Sequence, residues 1–361
     1  MKYSNLKKYG ITGEIIQAAE HFPDCCVARV VRQNRDFYEI VSESGESQAA
    51  VSGKLLYKAQ ENYDFPAVGD WVMIGKSEHM SGTDVIRRIL PRKTVFERKA
   101  AGTANTAQII AANIDTVFLC MSLNQDFNLR RMERYLAIAW DSGASPVIVL
   151  TKSDLCGDLP RYLNETASIS LSADTIVCSS VSSDGLESIS DRIRPGETVA
   201  FIGSSGVGKS TLINRLAGQE IFATREIRGD DDKGRHTTTH RELILLPSGG
   251  IVLDTPGMRE LQLSTANLSM AFEEIEALAS GCKFSDCNHQ TEPGCAVRKA
   301  IEAGTLEQSR LDSYLKLQQE LSYSGLNSRE RENKKLDRMF GGKSQYKQTM
   351  REIKNRNKDR S

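Results

Sequence analysis

Residues Gly203 to Ser210, GSSGVGKS, leave this chain few folds to choose from. They match G-x4-G-K-[ST] and sit between an apolar strand-like run, TVAFI, and a helix-like run, TLINRLAG. Glycines let the backbone of Gly203, Ser204, Ser205, Gly206, Val207 and Gly208 curl so that successive N–H groups point inward at phosphate oxygens, and the positive end of the following helix adds to that field. Lys209 is then placed to reach the β- and γ-phosphates. Ser210 is placed to ligate Mg²⁺, with Thr211 beside it in the first helical turn.

The surrounding pattern supports an α/β domain over 101–263. IDTVFLCMSL, PVIVL, TIVCSS, TVAFIG, ELILLP and GIVLDTPG read as strands with helical or loop segments between several of them. One such helix is capped by Asn128 and ends near Gly143. Strands apolar on both faces and alternating with helices predict a parallel sheet covered by helices. Residues 1–100 read instead as all-β, with short runs VARVVRQ, DFYEIVS, QAAVSGKLLY, GDWVMIG and DVIRRIL, followed by a polar connector, PRKTVFERKAAG. About five strands predict a small barrel, of either the oligonucleotide-binding or the SH3-like kind. Residues 264–327 are helical around a cysteine cluster, and 328–361 form a basic tail with too few apolar residues for a core.

TKSD, Thr151 to Asp154, follows the strand PVIVL directly. Guanine presents N1–H and an exocyclic amine side by side, so a carboxylate at that edge accepts both hydrogens, a pair adenine lacks. Asp154 is therefore the expected specificity residue, with the Lys152 stem along the base, Ser153 between them, and backbone contacts from Ser179 and Ser180 in CSSVSSDG. An ATP-dependent kinase or transporter subunit is opposed by the same motif. DTPG closes a later strand, where Asp254 can hold the Mg²⁺ shell and Gly257 can present its N–H to a γ-phosphate. Between these motifs lies GRHTTT, in which Thr238 or Thr239 could complete the metal shell. Met258 stands where Ras-like proteins carry a water-orienting glutamine, and Met cannot orient water. His236 is the candidate replacement, a solvated loop residue being the other reading.

Cys282, Cys287, His289 and Cys295 form C-x4-C-x-H-x5-C, a ligand set for one closed, structural Zn²⁺ site with no position left for water. The other five cysteines are scattered, as in a reducing compartment. Lys and Arg number 47, Asp and Glu 47, so the chain as a whole is no general polyanion binder. The tail differs: residues 328–361 hold 12 Lys/Arg against 5 Asp/Glu, a candidate RNA contact. No apolar run approaches the roughly 20 residues of a membrane span, and no signal or anchor is visible at the start, so a cytoplasmic location is expected.

The order of the motifs is itself informative. In ordinary GTPases the phosphate loop, switch threonine and DxxG precede the base-recognition motifs; here TKSD and CSSV come first. With a β-domain before them and a cysteine cluster after them, the chain from about residue 10 to residue 325 resembles the RsgA, or YjeQ, family of circularly permuted GTPases. QIIAANID and GRHTTT belong to the same resemblance. It implies an oligonucleotide-binding barrel, a permuted GTPase domain, a zinc domain, and a late role in maturing the small (30S) ribosomal subunit. The expected partners are GTP and GDP, the small subunit and its rRNA, with no membrane, and the protein is expected to be a monomer released on hydrolysis. A GTP-sensing RNA-binding factor with incidental hydrolysis is the alternative that Met258 keeps open.

Overall fold

A computed structural model of the protein describes residues 3–34, 37–59, 62–76, 83–99, 107–170, 173–222, 241–254, 268–269 and 271–322. His236, Thr238, Thr239, Gly257 and Met258 lie outside the described residues, as does the tail 328–361. The chain opens with two short helices, α1 (Ser4–Lys8) and α2 (Gly13–Glu20). The barrel strands follow: β1 (Cys26–Gln33), β2 (Tyr38–Ser42), β3 (Gly45–Val51), β4 (Trp71–Lys76) and β5 (Thr83–Ile89), with helix α3 (Gly53–Lys58) between β3 and β4. Hydrogen bonding runs β1–β2–β3–β5–β4 and closes from β4 back to β1, with β3 and β5 parallel. That order resolves the open choice of barrel in favour of the oligonucleotide-binding kind.

The middle of β1 and most of β2 and β4 are buried on both faces, whereas β3 exposes Glu46 and Gln48 and β5 exposes Arg87 and Arg88. Ala28, Val30, Val72 and Ile74 face one apolar cluster with Ile40 and Ile86. Val27, Trp71 and Met73 face another, with Leu6 and Ala19 from the two leading helices. Those helices are absent from the all-β expectation for residues 1–100. Thr12 caps α2 by accepting from Ile15 N, and Leu6 is completely buried, so tertiary packing rather than length sustains them. QAAVSGKLLY likewise divides: the strand ends at Val51, and the Ser52 hydroxyl accepts from Leu55 N at 3.2 Å to start α3. The expected connector contains strand β6 (Val95–Lys99), paired antiparallel with β7 (Ala107–Ala112).

The remaining strands are β8 (Thr116–Ser122), β9 (Ser145–Thr151), β10 (Asp174–Val177), β11 (Thr198–Ile202), β12 (Arg241–Leu245) and β13 (Ile251–Asp254). Five of them form a parallel sheet in the order β10-β9-β8-β11-β13. β12 departs from the expected parallel arrangement: it is antiparallel to β13 and also pairs with β1, so barrel and α/β domain share one eleven-stranded sheet. Arg32 of β1 clamps this seam, bonding Glu242 on β12 and Glu39 on β2. Deeper in, the guanidinium of Arg29, 2% exposed, donates to Tyr9 O, Gly69 O, Asn113 O and the Thr198 hydroxyl.

Helices α4 (Leu129–Ser142), α5 (Leu159–Ala167), α6 (Leu186–Ser190) and α7 (Lys209–Ala217) cover the sheet. α4 begins as expected, with Asn128 Oδ1 accepting from Arg131 N at 3.0 Å, and ends at Gly143 in the left-handed region. α8 (Glu273–Ala279), α9 (Ala296–Glu302) and α10 (Gln308–Ser322) pack on the α4 side. Phe272, Ile275, Val297 and Leu311 join one core with Leu136 of α4 and Leu119 of β8. Arg310 ties the two regions together, donating to Glu133 of α4 at 2.6 Å and to Glu274 of α8 at 2.5 Å. Among the described residues no helix is long and apolar enough to cross a membrane.

Candidate functional site

Parallel strands end on the same side of their sheet, so loops far apart in sequence meet there. The full-length pairing of β8 with β9, from Thr116 opposite Ser145 to Ser122 opposite Thr151, sets TKSD level with the end of β8. Adjacent β11 delivers the phosphate loop, β10 delivers Ser179 and Ser180, and β13 ends on Asp254. The loops carrying Thr151, Lys152, Ser153 and Asp154, Ser179 and Ser180, and residues 203–211 therefore all leave the same end of the sheet.

Between β11 and α7 the loop curls as its composition requires. Gly208 holds φ at +103°, a conformation side chains rarely adopt, and a Cβ on Gly203 would stand 2.5 Å from Cys120 O. Lys209 folds back so that Nζ donates to Gly203 O and Ser204 O, each at 2.7 Å. The Ser210 side chain is exposed in the first turn of α7, a position from which its hydroxyl is open to a cation.

Thr151 ends β9 and opens the TKSD turn. It is buried, and its Oγ1 donates to Val207 O at 2.6 Å, strapping TKSD to the phosphate loop. Lys152 then turns the chain with φ at +58°, and Ser153 N donates to Cys178 O at 3.2 Å. Asp154 is exposed, with one carboxylate oxygen fixed by the buried Ser179 hydroxyl at 2.5 Å. Ser179 Oγ in turn accepts from Val181 N and Ser182 N, which shapes the loop beneath the carboxylate. Exposed Leu155 and Val181 lie in these same two loops.

Sequence reasoning overlooked two neighbours of the phosphate loop. Asp126 and Arg131 flank the Asn128 cap, and both bond the Ser204 side chain. The signal available was weak: an Asp and an Arg beside a helix cap, with no motif to attach them to a loop more than 70 residues away.

The second constellation lies between α8 and α9. Sγ of Cys282, Cys287 and Cys295 and a ring nitrogen of His289 all lie within 4.8 Å of one another. A tetrahedral Zn²⁺ with ordinary bond lengths requires S···S near 3.8 Å and S···N near 3.6 Å. Cys282 Sγ to Cys295 Sγ is 3.9 Å, and His289 Nδ1 stands 3.6 and 3.4 Å from those two sulfurs, so the donor set fits that ion. Backbone N–H groups of Ala296 and Arg298 donate to the Cys282 and Cys295 sulfurs, as suits thiolates. The Glu292 carboxylate accepts from the N–H groups of Asn288, Gln290 and Thr291, holding the loop that carries His289.

The RsgA GTPase family model matches residues 89–264. An ABC transporter model also matches, over 186–353, a range containing the phosphate loop that both kinds of nucleotide-binding protein carry. A small ribosomal subunit biogenesis GTPase, RsgA 2 of Lactiplantibacillus plantarum, is 53% identical over 98% of both chains. One from Opitutus terrae, RsgA, is 47% identical over 82% of this chain and 84% of its own. Among solved structures, YjeQ from Thermotoga maritima superposes with a TM-score of 0.62 at 26% identity, covering 82% of this chain and 98% of that one. YloQ, a circularly permuted GTPase, gives 0.60 at 27% identity, covering 84% and 96%. Identity of 53% over 98% of both chains, with the family-model match, decides between the two models: this chain belongs to the RsgA GTPase family.

Proposed function

We propose that this protein is a GTP hydrolase serving late assembly of the small ribosomal subunit, gripping rRNA with GTP bound and leaving after hydrolysis. The observation that carries the GTPase reading is the Thr151–Val207 strap, which makes a guanine-type turn and a phosphate-type loop one site. Asp154, steadied by Ser179, accepts the two guanine hydrogens. Lys152 and exposed Leu155 and Val181 flank the base, and the backbone of Ser179 and Ser180 faces its carbonyl. Lys209, already against loop carbonyls, needs only a small shift to reach the β- and γ-phosphates.

Ser210, with Asp254 and Thr238 or Thr239, would hold Mg²⁺, which when bound neutralises charge on the β- and γ-phosphates. Water attacks the γ-phosphorus, the bond to the β–γ bridging oxygen breaks, and GDP and inorganic phosphate leave. His236 is assigned the orienting of that water in place of Met258, and Gly257 N–H the γ-phosphate. Cys282, Cys287, His289 and Cys295 hold zinc as a cross-link without catalytic duty. The β2–β3 face of the barrel and the basic tail supply RNA contacts, consistent with the names of the relatives and with a cytoplasmic location.

Turnover with and without small subunits tests the proposal. An assembly switch is strongly accelerated by subunits and sediments with them only alongside a non-hydrolysable GTP analogue. Equal turnover under both conditions would leave the RNA-binding sensor as the better account. Asp154→Asn should erode GTP-over-ATP preference in competition.

A further inference from the structure

The phosphate loop is braced from outside. Asp126 lies in the turn between β8 and α4 and Arg131 in the first turn of α4, a segment that carries no nucleotide motif. Their side chains nonetheless close a three-membered ring with Ser204. The Ser204 hydroxyl donates to Asp126 Oδ2 at 2.5 Å and accepts from Arg131 Nη1 at 3.1 Å, while Arg131 Nη1 donates to Asp126 Oδ1 at 2.9 Å. The turn is fixed in its own right: Asn124 Oδ1 accepts from Ser122 Oγ and Asp126 N, and Asn128 Oδ1 accepts from Arg131 N. Ser204 has a second duty, because its carbonyl accepts from Lys209 Nζ at 2.7 Å. We propose that Arg131, oriented by Asp126, is a positioning residue for GTP hydrolysis: it fixes Ser204 and, through the Ser204 carbonyl, the placement of the Lys209 ammonium.

Charge favours this arrangement. Partial burial alone would raise the Asp126 carboxyl, but the Ser204 hydroxyl, the Arg131 guanidinium and the nearby Lys152 ammonium bring it below the ordinary carboxylate range. It is thus a full anion at neutral pH, placed beside a site that receives phosphates, and Arg131 is the cation that balances it. Both side chains are about a third exposed, 31% for Arg131 and 39% for Asp126, so as a bare ion pair they would add little to stability. The consequence of losing Arg131 therefore falls on turnover rather than on folding.

The inference rests on Gly203–Ser210 being the phosphate site, and the test separates the two. Phosphate release is measured on the full chain for wild type, Lys209→Ala, Ser204→Ala, Arg131→Met and the Ser204→Ala/Arg131→Met double variant, with GTP and with ATP. Each of Ser204→Ala and Arg131→Met should lower kcat/KM for GTP about ten-fold, as loss of a hydrogen bond to a charged group does. The double variant should also lose about ten-fold rather than a hundred-fold, because both changes break one joint. Melting points within a few degrees of wild type and unchanged GTP-over-ATP preference should accompany that loss. Wild-type turnover in Arg131→Met, or a hundred-fold additive loss in the double variant, would overturn the brace while Lys209→Ala remains inactive. Wild-type turnover in Lys209→Ala would instead remove the phosphate site itself, and the brace with it.

Discussion

Thr151→Val takes one oxygen from the joint between TKSD and the phosphate loop while keeping almost the same volume. Thr151 Oγ1 lies 2.6 Å from Val207 O. A methyl carbon in its place needs about 3.4 Å, so the gap must open by roughly 0.8 Å as well as lose its hydrogen bond. Removing one partner of a buried hydrogen bond costs about 1–3 kcal/mol. A displacement near 1 Å at a reacting centre is worth up to about a hundred-fold in rate. Taking about 2 kcal/mol, kcat/KM for GTP should fall about 30-fold. The protein should still fold, since that energy lowers Tm by only about 4–8 °C in a domain of 150–250 residues. Thr151→Ser keeps the hydroxyl and should stay within about three-fold of wild type. Steady-state phosphate release over a range of GTP concentrations, with melting curves on the same preparations, reads both effects. Wild-type turnover in the Val variant, or a Ser variant as impaired as the Val variant, would refute the strap.

Three further outcomes follow from the second constellation and its supports. Zinc should be found at one ion per chain by elemental analysis, and Cys282→Ser or a strong chelator should remove it and expose α8 and α9 to proteolysis, since structural zinc is worth about 10 kcal/mol or more in small domains. Glu292→Gln should weaken zinc binding about ten-fold by competition with a chromophoric chelator. The Glu292 carboxyl is held down to about 2 by its own backbone N–H and those of Asn288, Gln290 and Thr291. Its support is therefore complete above the usual carboxylate value of 4.5 and is lost only as pH falls toward 2, so the ratio of wild-type to variant affinity should be the same at pH 5.5 and 7.5. Arg310→Met strands Glu133, whose side chain is 4% exposed, along with Glu274, and should destabilise the α4–α10 junction by about 3–5 kcal/mol in denaturant unfolding.

Parts of this molecule that depend on contiguous chemistry were legible in the sequence. A phosphate loop needs its glycines, lysine and serine in one run, and a compact ligand cluster can come from one short loop, so GSSGVGKS and the grouping of Cys282, Cys287, His289 and Cys295 stand out in the sequence. Asn128 and Gly143 marked both ends of α4 because caps act within one turn. Distant pairing was not legible. β12 reads as an apolar strand, but nothing in ELILLP says that it runs antiparallel and reaches the barrel. Arg29 looks like one polar residue in VARVVRQ, yet its acceptor Thr198 lies 169 positions away. Ser204 finds Asp126 across 78 positions. α3 was hidden because Val51 and Tyr57 favour strands, while the Ser52 cap that decides the matter is a single hydroxyl.

The seam between β1 and β12 also orders events in time. β1 is the first of the described strands to be synthesised, whereas Glu242, the partner of Arg32, lies 210 residues downstream. At about 5–20 residues per second, a nascent chain takes about 10–40 s to supply it. Throughout that interval the far end of β1 is an open strand edge, and Arg29 lacks its Thr198 acceptor until β11 has been made. The barrel can close on its own strands once Ile89 has been made, but its seam with the α/β domain waits for β12, and a chain interrupted before Arg241 leaves the Arg32–Gln33 end of β1 open to the wrong strand.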